Sequence, residues 1–372
     1  MDLAFLNPLY EHPGPWASVY VDTSRHTEDT AHELHLTAEA MARELARQGA
    51  DEDTCRAVAS AIEDMRHSPD PHGRALFAQG GRVVLDPRLA RPPLGDSWAE
   101  WAPLPRVGPL LELAGEDPVA IVAYVDRKGA DFELRSALGR EQAGKVVGRQ
   151  WPIHRTSSVD WSERHFQLKV ENTWEHNAAE IADALSVCQE ETGADLLIMV
   201  GDDRERSEVR GRLPKRLRGQ VVEAVHGTGS RLLDEDVERL RSEHVRQRID
   251  EELDRFRAAR NPDGEGRSRA VEGVPALVEA AREHRLEELL ISPDGADARR
   301  EVWIGEDPDQ VAVRRTDLEI LGEQHSWPAR ADDALIRSAV TTDAAALSLA
   351  PAGGSAGEDA PVGGLGAILR WK

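Results

Sequence analysis

The run DLLIMV at 195–200 constrains the fold more than any other part of the chain. Apolar residues without polar alternation mark a strand buried on both faces, which requires a packed layer on each side of its sheet. The preceding chain supplies one such layer: Val170, Trp174, Ala178, Ile181, Leu185 and Cys188 are spaced 4, 4, 3, 4 and 3, the stripe of a long helix ending at Gly193. Upstream, VAIVAYVD (119–126) and ADFELRSA (130–137) flank Arg127-Lys128-Gly129 as the arms of a hairpin. Downstream, a short helix, the strand QVVEAV (220–225) and a charged helix from Asp234 to about Arg260 complete an alternating α/β pattern.

The flanking segments are of mixed type. Residues 17–21 (ASVYV) predict a strand, and Leu34, Ala38, Met41 and Leu45 one helical face; Val58, Ile62 and Met65 predict a second helix after the Gln48-Gly49 break. ALFAQGGRVVL predicts a strand pair about Gly80-Gly81, and the Pro-rich stretch 86–109 an irregular end to an α+β segment. After the linker NPDGEGRS (261–268) come a helix over 271–283, the strands LEELLI (286–291) and EVWIG, a helix over 332–340, the strand AAALSLA and a terminal strand over 365–371. Residues 350–364 predict a flexible surface loop. The expected fold class is α/β with an α+β first domain, in three domains: 1–113, 114–260 and 261–372.

Charge narrows the function classes. With 46 basic and 68 acidic residues the net charge is −22, so the average surface repels polyanions and anionic membranes. The three segments carry about −8, −5 and −9, which leaves the middle least acidic. Within it, 204–220 holds seven basic residues (Arg204, Arg206, Arg210, Arg212, Lys215, Arg216, Arg218) against Glu205 and Glu208. A second run, 140–169, has six basic and three acidic residues with Trp151, Trp161, Phe166, His154 and His165 interleaved. Arginine among aromatics suits phosphate and base contacts. The bland alternative is a solvated helix face. The acidic, Pro-containing start lacks a signal-peptide pattern, and the longest apolar run, 119–125, is far short of a membrane span. A reducing cytoplasm is expected, with Cys55 and Cys188 as free core thiols.

Local catalytic signatures are weak. Residues 139–145 fit GxxxxGK, but Val146 stands where a phosphate loop needs Ser or Thr for magnesium. His32 and His35 are not at the i, i+4 spacing of a helical zinc site, so no metal and no cofactor are expected. Asp202-Asp203, at a strand's C-terminal end, suit helix capping or a ligand.

The order of these elements resembles the class I release factors of eukaryotes and archaea and their relative Pelota. The resemblance rests on VAIVAYVDRKGADFELRSA, WPIHRTSSVDWSERHFQLKVENTWEHNAAEIADAL and GADLLIMVGDDRERSEVRGRLPKRLRGQVVEAV in the middle segment. In the third it rests on EGVPALVEAAREHRLEELLIS and GGLGAILRW. More narrowly it is similar to the actinobacterial branch of that superfamily, which includes the ribosome-hibernation factor Balon. Release factors place Gly-Gly-Gln on the central loop to position a water for ester hydrolysis; here the corresponding residues are His154-Arg155-Thr156-Ser157-Ser158-Val159-Asp160. Arg218-Gly219-Gln220 precedes the next strand and is not that motif, and the first segment has no Asn-Ile-Lys-Ser for reading stop codons.

The resemblance therefore implies a non-enzymatic factor occupying the vacant A site of idle or stalled 70S ribosomes. His154, Arg155, Thr156, Ser157 and Ser158 would touch large-subunit RNA, and Arg212, Lys215, Arg216 and Arg218 phosphates. The first domain would face the decoding end of the A site, and the third the stalk base or a GTPase such as elongation factor Tu. One alternative is a peptidyl-tRNA hydrolase or rescue factor using His154 or Gln167. Another is a stress-related adaptor that binds protein rather than RNA.

Overall fold

The computed structural model describes residues 3–23, 30–65, 73–89, 91–93, 95–114, 118–126, 129–135, 165–169, 174–224, 232–262, 264, 266–292, 295–349 and 360–371. They group into two compact units, one of residues 1–116 with 249–372 and the other of residues 117–248.

In the first unit, β1 (Trp16–Asp22), α1 (Thr30–Gln48), α2 (Glu52–Asp64), β2 (Gly73–Gln79), β3 (Arg82–Leu85), β4 (Trp98–Ala102) and α3 (Gly108–Ala114) follow in chain order. The sheet runs β3-β2-β1-β4, with every neighbouring pair antiparallel. Leu34, Ala38, Met41 and Leu45 of α1 and Val58 and Ile62 of α2 bury against Val19, Val21 and Leu76 on one face, as their spacing predicts. Asp51 caps α2 by accepting from the Thr54 N–H at 2.8 Å, and the Thr54 hydroxyl in turn accepts from Gly81 N at 2.9 Å, tying the helix start to the β2–β3 turn. The stretch 86–109 is not wholly irregular. Its WAEWA forms β4 and pairs with β1 from Trp16↔Ala102 to Tyr20↔Trp98, because its prolines lie outside the paired residues.

The second unit contains β5 (Ala120–Asp126), β6 (Gly129–Arg135), β7 (His165–Lys169), α4 (Trp174–Thr192), β8 (Leu196–Val200), α5 (Asp203–Arg212), α6 (Lys215–Arg218), β9 (Val221–Ala224) and the first part of α7 (Asp234–Arg260). The sheet order is β7-β6-β5-β8-β9; β5 and β6 form the expected antiparallel hairpin, and β8 lies parallel to both β5 and β9. All five residues of β8 are buried. One face takes Ala178, Ile181, Leu185 and Cys188 of α4 with Val209, Leu213 and Leu217; the other takes Leu232 and Val237 at the start of α7. Those two layers are what an unbroken apolar strand demands.

The third segment, in the first unit, adds β10 (Ala270–Glu272), α8 (Val274–Arg282), β11 (Leu286–Ile291), β12 (Glu301–Ile304), β13 (Val311–Ala312), α9 (Arg315–Ile320), β14 (Trp327–Arg330), α10 (Ala331–Thr341), β15 (Ala345–Ser348) and β16 (Leu365–Leu369). Its main sheet is β10-β16-β11-β15, and β13-β12-β14 forms a small second sheet. The helix expected from residue 271 starts at Val274 because Gly273, at φ +81°, ends β10 just before it.

A buried charge cluster joins the first and third segments inside this unit. One Arg106 nitrogen donates to Asp332 at 2.8 Å and to Asp333 at 2.9 Å, and Arg330 donates to Asp332 at 3.0 and 3.1 Å. The Arg106 backbone is fixed as well: its N–H donates to Ser18 Oγ at 2.8 Å, and its carbonyl accepts from the Tyr20 hydroxyl at 2.6 Å. Tyr20 is itself held by stacking on Trp98, with ring centroids 4.5 Å apart.

Candidate nucleic-acid interface

The basic residues of 204–220 fall on α5 and α6, directly after the central strand β8. Gly201 makes the turn between them at φ +154°, where a Cβ would stand 2.4 Å from the Val125 carbonyl. Asp202 then occupies the N-cap position of α5 in an extended conformation without a side-chain capping bond, and the Asp203 carboxylate receives Arg206. Pro214 separates α5 from α6, and Val209, Leu213 and Leu217 anchor both helices in the core.

This anchoring sorts the seven cations. Arg206 is buried and donates to the Ala224 carbonyl at 2.8 Å, a structural role that binds α5 to β9. Arg218 turns back on α5, donating from Nε to Leu213 O at 2.9 Å and from Nη2 to Gly211 O at 2.8 Å, and so satisfies carbonyls at the helix C-terminus. Arg210 pairs with Glu223 of β9 at 3.0 Å and Arg212 with Glu208 one turn back. Arg216 reaches α4, where it meets Gln189 at 2.8 Å, Ser186 at 3.2 Å and the Glu190 carboxylate. Arg204 and Lys215 are exposed and pair with no other described residue.

Of the residues expected to contact phosphate, Arg212, Lys215, Arg216 and Arg218 are thus brought together on one helix pair. His154, Arg155, Thr156, Ser157 and Ser158 lie outside the described residues, as does the GxxxxGK stretch. Gln167 lies on β7 opposite Asp131 of β6. Sequence reasoning missed the counter-charges Glu190 and Glu223. The Glu208–Arg212 pair was legible as an i, i+4 spacing, whereas the Arg216–Glu190 and Arg210–Glu223 contacts span 26 and 13 residues.

Both cysteines are buried and unbridged; burial pushes the Cys188 thiol up to about 11, with the Glu191 charge adding to it, and burial raises Cys55 as well. His35 is exposed, 2.7 Å from Glu63, whose hydrogen bond raises its pKa. No cluster of metal-ligating side chains occurs among the described residues, and no helix there is long and apolar enough to cross a membrane.

The site thus sits on a central sheet with a parallel β5-β8-β9 core, an antiparallel hairpin on one side and a basic helix pair after the central strand. Residues 119–262 match the model of bacterial archaeo-eukaryotic release factor family 2, so this segment is similar to that family. Along its whole length it is similar to the uncharacterized protein Rv2629 of Mycobacterium tuberculosis, 27% identical over 361 residues, which cover 96% of this chain and 94% of that one. Among solved structures it is similar to Pelota of Archaeoglobus fulgidus, at 14% identity and a TM-score of 0.33, covering 100% of this chain and 92% of that one. It is also similar to Dom34 of S. cerevisiae, described as a translation termination-like factor, at 12% identity and a TM-score of 0.40, covering 75% of each chain.

Proposed function

We propose that the protein is a ribosome-binding translation factor that occupies the vacant A site of idle or stalled ribosomes, protecting the active centres without catalysing peptide release. The observation that carries this reading is the release-factor family match over 119–262 in a chain with no Gly-Gly-Gln. The family match supports a release-factor-like middle segment, and the Gly-Gly-Gln motif that positions the hydrolytic water in release factors is missing from the sequence. The α5–α6 surface supplies the phosphate contacts, and the 154–158 segment, with His154 and Arg155, is the part directed at large-subunit RNA. On this reading the protein works in the cytoplasm, and its third segment meets a translational GTPase such as elongation factor Tu.

The test is co-sedimentation with vacant and with mRNA/tRNA-loaded 70S ribosomes across a salt series. Vacant ribosomes should be preferred, and peptidyl-tRNA should stay intact. Changing Arg212, Lys215, Arg216 and Arg218 to Glu should weaken pelleting and flatten its salt dependence. Because Arg218 also caps α5, the pair Arg204→Glu with Lys215→Glu, both exposed, gives the same readout without touching the fold. Unchanged pelleting of both variants removes the surface assignment; release of peptide from loaded ribosomes makes the protein a hydrolase instead.

A further inference from the structure

We infer that Glu190, Glu208 and Glu223 are specificity-determining residues: they hold the interface arginines in internal ion pairs, so that free RNA is refused and only phosphates fixed opposite several arginines at once displace them. This inference rests on the reading of α5–α6 as the ribosome-binding surface.

Each carboxylate meets one exposed arginine of that surface and comes from a different place in the fold, and Glu223 also lies 3.8 Å from the buried Arg206. Glu190 lies on α4 with Arg216, Glu208 on α5 with Arg212, and Glu223 on β9 with Arg210 at 3.0 Å. All three acids are partly open to solvent, at 57%, 39% and 34% exposure, so they act at the surface and not as core counter-ions. The arginines are half-exposed too, which leaves their outer edges within reach of a ligand. Arg206 and Arg218 are spent on structure, so the surface offers an incoming polyanion only Arg204 and Lys215 unopposed.

Exposed ion pairs of this kind hold weakly, about 0–1 kcal/mol each, so they can be exchanged. A flexible single strand must break each pair separately and order itself in doing so, while a folded ribosomal surface presents its phosphates already in place. The carboxylates thus add a repulsive element that lowers affinity for every loose polyanion more than for the fitted one. A chain with a net charge of −22 has little need of such a filter over its average surface; the filter stands where the cations are concentrated.

The test compares the wild-type protein with Glu190→Gln/Glu208→Gln/Glu223→Gln, in which each amide keeps an acceptor for its arginine and only the charge is lost. The probe is a single-stranded oligouridylate, followed by fluorescence anisotropy from 0.1 to 1 M salt, with 70S pelleting measured in parallel. Three uncovered cations should each add roughly 0.7 to the log–log salt slope, about 2 together, and so tighten oligouridylate binding on the order of 100-fold at 0.1 M salt for proteins equal at 1 M. The ratio of ribosome to oligouridylate affinity should fall accordingly. Oligouridylate curves identical for the two proteins overturn the inference, even where Arg212→Glu and Arg216→Glu weaken pelleting and uphold the ribosome-binding surface. If the arginine variants pellet like wild type, it is the surface assignment that fails, and the inference falls with it whatever the oligouridylate curves show.

Discussion

Replacing Arg106 by Met tests whether a buried ion cluster holds the first and third segments together in their shared unit. The guanidinium lies 2.8 and 2.9 Å from Asp332 and Asp333, whose side chains are 3% and 4% exposed. Burial pushes the Asp333 carboxyl up to about 7, the Asp332 charge pushes the same way, and Arg106 and Arg330 pull against them. The same two carboxylates keep Arg106 protonated against its own burial. A carboxyl whose pKa is raised by folding stabilises most in acid, and that contribution is lost as the pH rises through about 7. Removing Arg106 takes away the main downward pull, so the variant should hold a proton that the wild type gives up.

At pH 8 the Arg106→Met variant must either bear two buried carboxylates with Arg330 as their remaining close cation or hold a proton against the solution pH, a loss of about 3–5 kcal/mol by analogy with other broken buried pairs. At pH 5.5 one carboxyl is neutral, and the loss should shrink to about 1.5–3 kcal/mol, the range for a hydrogen bond to a charged group. Native-state hydrogen exchange of peptides from β1 and α10, corrected for intrinsic rates, reads these opening free energies within the unit. A loss below about 1 kcal/mol at pH 8, or equal losses at the two pH values, would show that the cluster does not carry the contact. Adding Asp332→Asn and Asp333→Asn to Arg106→Met should recover most of the stability, since no buried charge is then left unmatched.

Three further outcomes follow from the same physics. Arg206→Ala should destabilise the second unit by about 2–3 kcal/mol, because the Ala224 carbonyl loses its 2.8 Å donor inside the protein; ribosome binding lost without loss of stability would make Arg206 a ligand instead. Gly201→Ala should cost more than about 2 kcal/mol in urea unfolding, since its Cβ would meet backbone at 2.4 Å and not a movable side chain; a loss below about 0.5 kcal/mol would mean the β8–α5 turn has another conformation open to it. Burial and the neighbouring Glu252 push Glu288 up to about 7, with Arg255 opposing. Its contribution is therefore greatest in acid and fades through pH 7, so Glu288→Gln should flatten the stability profile between pH 5 and 8; an unchanged slope would place the titration elsewhere.

Much of this fold was legible in the sequence wherever one periodicity ran unopposed. The α4 stripe, the apolar strand β8 and the β5–β6 hairpin each follow from spacing alone, and Ala178, Ile181, Leu185 and Cys188 are buried as that spacing requires. Strand β4 was hidden because WAEWA is short and lies among prolines that suggest a loop; its pairing with β1 is a tertiary choice no local pattern carries. Of the small β13-β12-β14 sheet only β12 was legible, as the strand EVWIG; β13 and β14 span only two and four residues and escaped for the same reason. Buried Asp332 and Asp333 were invisible in kind: two adjacent acids at a helix start look like capping and dipole residues, and their burial needs Arg106, more than two hundred positions away, beside the neighbouring Arg330.

The candidate interface shows why a count of basic residues misjudges a surface. Seven cations against two acids within 204–220 suggest a strong phosphate-binding patch. In the structure two of the seven are used to build the helices, and three more are met by carboxylates, one of them from α4 and one from β9. The field such a surface presents is set by Glu190 and Glu223 as much as by the run itself. Under the proposed ribosome-binding function, an acidic factor that must bind one large polyanion among many has here a coherent solution: cations are placed by the fold, their charge is held in exchangeable pairs, and affinity would be regained only where many phosphates arrive together in the matching geometry.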